Sequence, residues 1–108
     1  MRYISTRGQV PPMEFQDAVM MGLADDGGLV IPQSIPDVRA RLESWRRLPY
    51  AELACEVIGL FATDIPAGEL RDLIRRTYSR EAFRPEVAPT VRVGPIHLHV
   101  TPDALVFP

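Results

Sequence analysis

Residues 13–32 read MEFQDAVMMGLADDGGLVIP, and the punctuation of this stretch decides the fold. Phe15, Ala18, Val19 and the pair Gly22-Leu23 recur at helical spacing, with Met20 and Met21 widening the apolar stripe, so a helix is expected from Met13 to Ala24. Asp25-Asp26-Gly27-Gly28 then stops it, because glycine supplies the left-handed conformation that a helix end favours. Leu29-Val30-Ile31, closed by Pro32, reads as a short buried strand. Upstream, Arg2-Tyr3-Ile4-Ser5-Thr6 is rich in β-branched and aromatic residues and reads as another strand, ended by Arg7-Gly8, with Pro11-Pro12 as an extended lead into the helix. Short strands thus flank a helix.

Downstream, helices dominate. Val38, Leu42 and Trp45 share one side of a helical stretch from Asp37 to Arg47. A second helix is expected from Pro49 to Thr63, with Leu53, Ala54, Val57, Ile58, Leu60 and Phe61 as a broad apolar face. Its proline lacks an N–H that the first turn does not need. Thr63-Asp64-Ile65-Pro66 offers a capping residue for a further helix from Pro66 to Ser79, carrying Leu70, Leu73, Ile74, Thr77 and Tyr78 on one face. Phe83 to Thr90 reads as a loop. Val91-Arg92-Val93 and Ile96 to Val100 alternate with period two about Gly94-Pro95, as a hairpin would. The fold class is α+β: a single, mostly helical domain over residues 1–108, with about four helices and a few short strands.

Composition bounds the function. The chain has 108 residues, 46% hydrophobic and 24% charged, which suits one small globular domain. No apolar run approaches the roughly 20 residues of a membrane span. The N-terminus lacks the apolar core of a secretory signal, and the single Cys55 makes no internal disulfide; both fit a cytoplasmic protein. A net charge of −2 argues against a nucleic-acid partner. All twelve basic residues are arginine, so no lysine amine is present for Schiff-base chemistry.

No complete active site emerges from the residues alone. His97 and His99 lie two apart and could begin a metal site, but no third ligand is evident, and ordinary surface histidines are the simpler reading. Asp25-Asp26-Gly27-Gly28 lacks the alternating ligands and distal glutamate of a calcium loop. Arg7-Gly8 could meet an anion, but no glycine-rich phosphate loop accompanies it, and a turn with a salt-bridged arginine suffices. Cys55, with no histidine nearby in sequence, reads as a small half-buried helix residue.

The order of the motifs adds more. Tyr3-Ile4-Ser5-Thr6-Arg7-Gly8, then Phe15-x-x-Ala18, then Gly22-Leu23-Ala24-x-Asp26-Gly27-Gly28-Leu29-x-x-Pro32 resembles the start of threonine synthases, in the branch with a separate N-terminal domain. Ile35-Pro36, Leu48-x-Tyr50-x-Glu52-Leu53-Ala54, Phe61, Asp64-Ile65-Pro66, Leu70, Tyr78 and Val87-Ala88-Pro89 extend the resemblance in order, over nearly all of residues 1–100, leaving a divergent tail at 101–108.

The resemblance implies a family of pyridoxal phosphate lyases that convert O-phospho-L-homoserine and water to L-threonine and phosphate. There a lysine holds the cofactor as an electron sink. It follows a stretch reading roughly Glu-Leu-Phe-His-Gly-Pro-Thr-Leu-Ala-Phe-Lys-Asp. In this sequence Pro102 stands at the motif's proline and Phe107 at its lysine. The resemblance therefore implies no catalytic, cofactor-binding or metal residue in this chain, and no pyridoxal phosphate bound by it alone. What it carries over is the role of the first domain, which packs against the catalytic domains and helps frame their cleft. Tyr3, Ser5, Thr6, Arg7 and Gly8, with Asp26, Gly27 and Gly28, are the candidate interdomain contacts. The alternative is that both motifs merely hold this domain's own strand and turn. Two partners are consistent with this: the catalytic domains of a threonine synthase, for a truncated piece of that enzyme, or a self or protein partner, for a stand-alone interaction module that has lost its catalytic part. An exposed Leu105-Val106-Phe107 would favour self-association.

Overall fold

The computed structural model describes residues 1–82 and 90–99, the last segment by its backbone pairing. The expected loop at 83–90 lies, but for Thr90, outside the described residues, and so does the whole 101–108 tail. Among the described residues the architecture is α+β: four helices, with two separate two-stranded antiparallel sheets.

Strand β1 (Tyr3–Ser5) pairs antiparallel with β2 (Val30–Pro32), in the register Tyr3↔Pro32, Ile4↔Ile31, Ser5↔Val30. The alternation of β1 puts Tyr3 and Ser5 inward, both buried, with Ile4 on the other side. β2 departs from the expected buried strand: Leu29 and Ile31 are exposed, and the strand includes Pro32. Among the described residues the Tyr3–Ser5 side of this small sheet is the better covered, with Ile4 on the other side half-buried.

Met13 does not start a helix. Its backbone exchanges hydrogen bonds with Tyr3, at 2.8 and 3.0 Å, in an isolated bridge on the free edge of β1. Pro11-Pro12 holds the chain extended up to that point. Helix α1 therefore spans only Phe15–Met21. It ends at Gly22, with φ of 70°, whose N–H donates to the Ala18 carbonyl at 3.1 Å. The helix stops there rather than at Asp25–Gly28 because Gly22 is the first residue that enters positive φ without a Cβ penalty. Of the expected apolar stripe only Ala18 is buried, and Met20 is 86% exposed.

The stretch expected as a helix from Asp37 to Arg47 is reduced to a 3-10 turn at Arg39–Arg41 and one helical turn, α2 (Leu42–Trp45). The Asp37 carboxylate accepts from the Arg39 backbone N–H at 3.1 Å and from its guanidinium at 2.6 Å, a local arrangement that competes with helix initiation. Trp45 is buried, while Leu42 is exposed. Helices α3 (Tyr50–Gly59) and α4 (Ala67–Thr77) pack against each other and form as expected, each a few residues shorter. Leu70 and Ile74 of α4 join Ala62 in one apolar cluster, with Ala54, Cys55 and Ile58 against it. Across the outer seam, Glu52 accepts from Arg71 at 3.0 Å and Arg75 at 2.8 Å. Strands β3 (Thr90–Val93) and β4 (Ile96–His99) form the expected hairpin about Gly94-Pro95, with φ of 61° at Gly94. His97 and His99 both fall on β4.

Two apolar clusters result, and Phe15 touches both. Its ring lies 5.8 Å from that of Tyr3 in the first, and Tyr3 Oη donates to the Phe61 carbonyl at 3.0 Å. Burial, and then the Asp64 charge, push the Tyr3 phenol up from its ordinary pKa. Asp64 itself does not cap α4, which begins at Pro66 with no side-chain cap. It reaches across 48 residues to cap α1: its Oδ2 accepts from the Gln16 N–H at 3.0 Å, and its carbonyl from Gln16 Nε2 at 3.2 Å. The Gln16 and Phe15 N–H groups hold its carboxyl below the usual carboxylate range. A negative charge at a helix N-terminus is favourable, and α1 has no cap of its own. Replacing Asp64 with alanine should lower the melting temperature by several degrees and speed amide exchange at Phe15 and Gln16, as scanning calorimetry and NMR would show. An unchanged exchange rate there would contradict the cross-chain cap.

Candidate functional site

The two segments singled out in sequence meet. Ser5 ends β1 on its buried side, and the turn 24–28 returns the chain toward it. Ser5 Oγ donates to Asp26 Oδ1 at 2.7 Å. The same Oδ1 accepts the Gly28 N–H at 2.9 Å, and Oδ2 accepts the Gln9 N–H at 3.0 Å. Arg7 joins from above: its N–H donates to Ser5 Oγ at 3.1 Å and its Nη1 to the Asp26 carbonyl at 3.0 Å. Thr6 completes the link, giving its N–H to the Leu29 carbonyl and accepting the Leu29 N–H on Oγ1, each at 2.9 Å.

Gly28 is required by close approach, and Gly8 and Gly27 by positive φ. Gly27 has φ of 79°, and a Cβ there would stand 2.8 Å from Arg7 Nη1. Gly28 is buried, and a Cβ would collide with Ser5 Oγ and stand 3.0 Å from both Asp26 Oδ1 and Thr6 Oγ1. Gly8, with φ of 71°, closes the turn after β1 by donating its N–H to the Ser5 carbonyl at 3.0 Å.

The Ser5 hydroxyl first, and then the Gly28 and Gln9 N–H groups and the Arg7 charge, hold the Asp26 carboxyl below its usual range against a smaller opposing effect of burial. Because the folded pKa is the lower one, the stabilisation this carboxylate gives is present above the unfolded value of about 3.9 and is lost as pH falls through the folded value.

The candidate contacts divide by exposure. Tyr3, Ser5 and Gly28 are buried within the domain, Asp26 is half-buried, and Thr6, Arg7, Gly8 and Gly27 face solvent. The expected salt-bridged arginine instead binds a carbonyl. The two glycine amides of the turn are already used, Gly28 N–H by Asp26 Oδ1 and Gly27 N–H by the Ala24 carbonyl at 2.8 Å. As chemistry, the cluster is a latch between a strand end and a turn. Sequence reasoning missed the part of Gln9, which enters through its backbone N–H and carries no side-chain signal, and of Leu29.

Elsewhere, Cys55 is half-buried against the α3–α4 cluster. Among the described residues no group of three or more His, Cys, Asp or Glu could hold a metal ion. Also among them, no helix is long and apolar enough to cross a membrane. Replacing Gly28 with alanine should destabilise the chain by roughly 1–3 kcal/mol in denaturant titration, since the new methyl displaces Ser5 and Thr6. Replacing Ser5 with alanine should raise the Asp26 titration midpoint, read by carbon NMR of its carboxyl, and carry the onset of acid destabilisation to higher pH.

The family model described as "Threonine synthase N terminus" matches residues 2–78. Threonine synthase from Pseudomonas aeruginosa is 46% identical over 82 residues, 72% of this chain and 17% of that protein. Threonine synthase from Eremothecium gossypii is 42% identical over 106 residues, 94% of this chain and 19% of that protein. The crystal structure of PLP-bound threonine synthase from Brucella melitensis superposes with a TM-score of 0.76 at 35% identity, over 92% of this chain and 22% of that one. The chain therefore spans about a fifth of the length of the relatives it matches.

Proposed function

The chain belongs to the threonine synthase family, and on that premise we propose that it is the non-catalytic N-terminal unit of such an enzyme, which packs against the cofactor-binding domains and helps frame their cleft. The observation that carries this reading is the asymmetry of the match: 94% of this chain is covered, but only 19% of the relative. The reaction of the complete enzyme is taken as the conversion of O-phospho-L-homoserine and water to L-threonine and phosphate.

The residues of this chain do not fit pyridoxal phosphate. A Schiff base needs a lysine amine, and the sequence has no lysine. A phosphate cradle needs free backbone N–H groups. Those of the glycine turn are spent on Asp26 and Ala24. No step of the reaction is therefore routed through this chain, and its contribution is positional. The latch between Ser5, Arg7 and Asp26 sets the shape of the face that Thr6, Arg7, Gly8 and Gly27 present.

Exchanging the matched segment of the Brucella melitensis enzyme for residues 2–78 of this chain tests the reading. The hybrid should form threonine from O-phospho-L-homoserine within about tenfold of the parent rate, while the 108-residue chain supplied with pyridoxal phosphate forms none. Turnover by the chain alone would contradict the proposal, and so would a folded hybrid with no activity.

A further inference from the structure

The β1–β2 sheet has an outer side that the latch does not use. Ile4 pairs directly with Ile31, and Leu23 with Leu29 in an isolated bridge. Directly paired residues of antiparallel strands project to the same side, and Leu29 and Ile31, two apart, share it. Four aliphatic residues from three separate stretches of sequence therefore meet on one face. Leu23 is 69% exposed, Leu29 59% and Ile31 40%, with Ile4 half-buried beside them. Tyr3 and Ser5 on the inner side are buried. An antiparallel sheet with one side on its own core ordinarily turns polar residues outward. Single exposed aliphatics are common, but a contiguous group of them marks a contact surface.

We propose that the outer side of this sheet, formed by Ile4, Leu23, Leu29 and Ile31, is the docking face, and that its occupant is an apolar surface on the catalytic part of a threonine synthase. The inference rests on the reading given under Proposed function and adds the face and its chemistry. Two observations name the occupant. The same fold makes up 22% of the Brucella melitensis chain, so most of that chain lies outside this unit and is available to cover it. The four side chains of the face are all aliphatic, and three charged groups near it are engaged within the domain: Arg2 with the Pro12 carbonyl, Asp26 with Ser5 and the Arg7 guanidinium with the Asp26 carbonyl. The latch then has a purpose beyond its own turn: through the Thr6–Leu29 pair of hydrogen bonds it fixes where Leu29 sits.

The test uses the full 108-residue chain and the hybrid enzyme side by side, with the pair Leu29→Asp and Ile31→Asp on the face and the pair Val57→Asp and Leu73→Asp on α3 and α4 as the control. In the isolated chain both pairs should leave the melting temperature within a few degrees. In the hybrid, the first pair should raise the rate of proteolytic release of the N-terminal segment at least tenfold, and the control pair should leave it unchanged. Release unaffected by the first pair overturns the docking face while leaving the enzyme reading intact. Rapid release from the unsubstituted hybrid overturns that reading and this inference with it. A dimer of the isolated chain in light scattering that the first pair dissociates would assign the face to a second copy instead. If the aspartates unfold the isolated chain, Leu23→Ser with Leu29→Ser reads the same outcomes.

Discussion

One carboxylate organises the N-terminal half of this domain. Asp26 takes the Ser5 hydroxyl and the Gly28 N–H on one oxygen and the Gln9 N–H on the other. Three points of the chain, up to 21 residues from Asp26, are thereby held within hydrogen-bond reach of one group. A three-residue ladder is too short to fix its own register by side-chain packing alone. The latch supplies what the ladder lacks, and Gly28 follows from it, because there is no room beside Ser5 and Thr6 for a Cβ.

The second half is built on a different economy. α3 and α4 bury Leu70, Ile74 and Ala62 between them, and the Glu52 pairs with Arg71 and Arg75 close the seam at its surface. The halves join at Phe15, which contacts both clusters, and at Asp64, which sits in the α3–α4 connection yet caps α1. A helix of seven residues is too short to persist without such help.

How far this was legible in the sequence depends on the range of the interaction. α3 and α4 were readable because their apolar spacing is local and strong, and the hairpin because Gly94-Pro95 separates two alternating runs. The meeting of Tyr3–Gly8 with Asp26–Gly28 was legible only as two motifs whose purpose stayed open. The errors lie where tertiary contacts decide. Met13 has a helical neighbourhood but gives its backbone to Tyr3. Asp64 stands where a cap for α4 belongs and serves another helix. Leu29-Val30-Ile31 is apolar like a buried strand, yet its outer residues face solvent.

Asp26 is thus the tie between the strand, the turn and the outer face. Native-state hydrogen exchange on the Asp26→Ala chain measures that tie directly. The amides of Thr6, Gln9, Gly28 and Leu29 should lose protection together, while those of Leu70 to Ile74 in α4 keep theirs. Unchanged protection at the first four amides, or an equal loss throughout the chain, would contradict it.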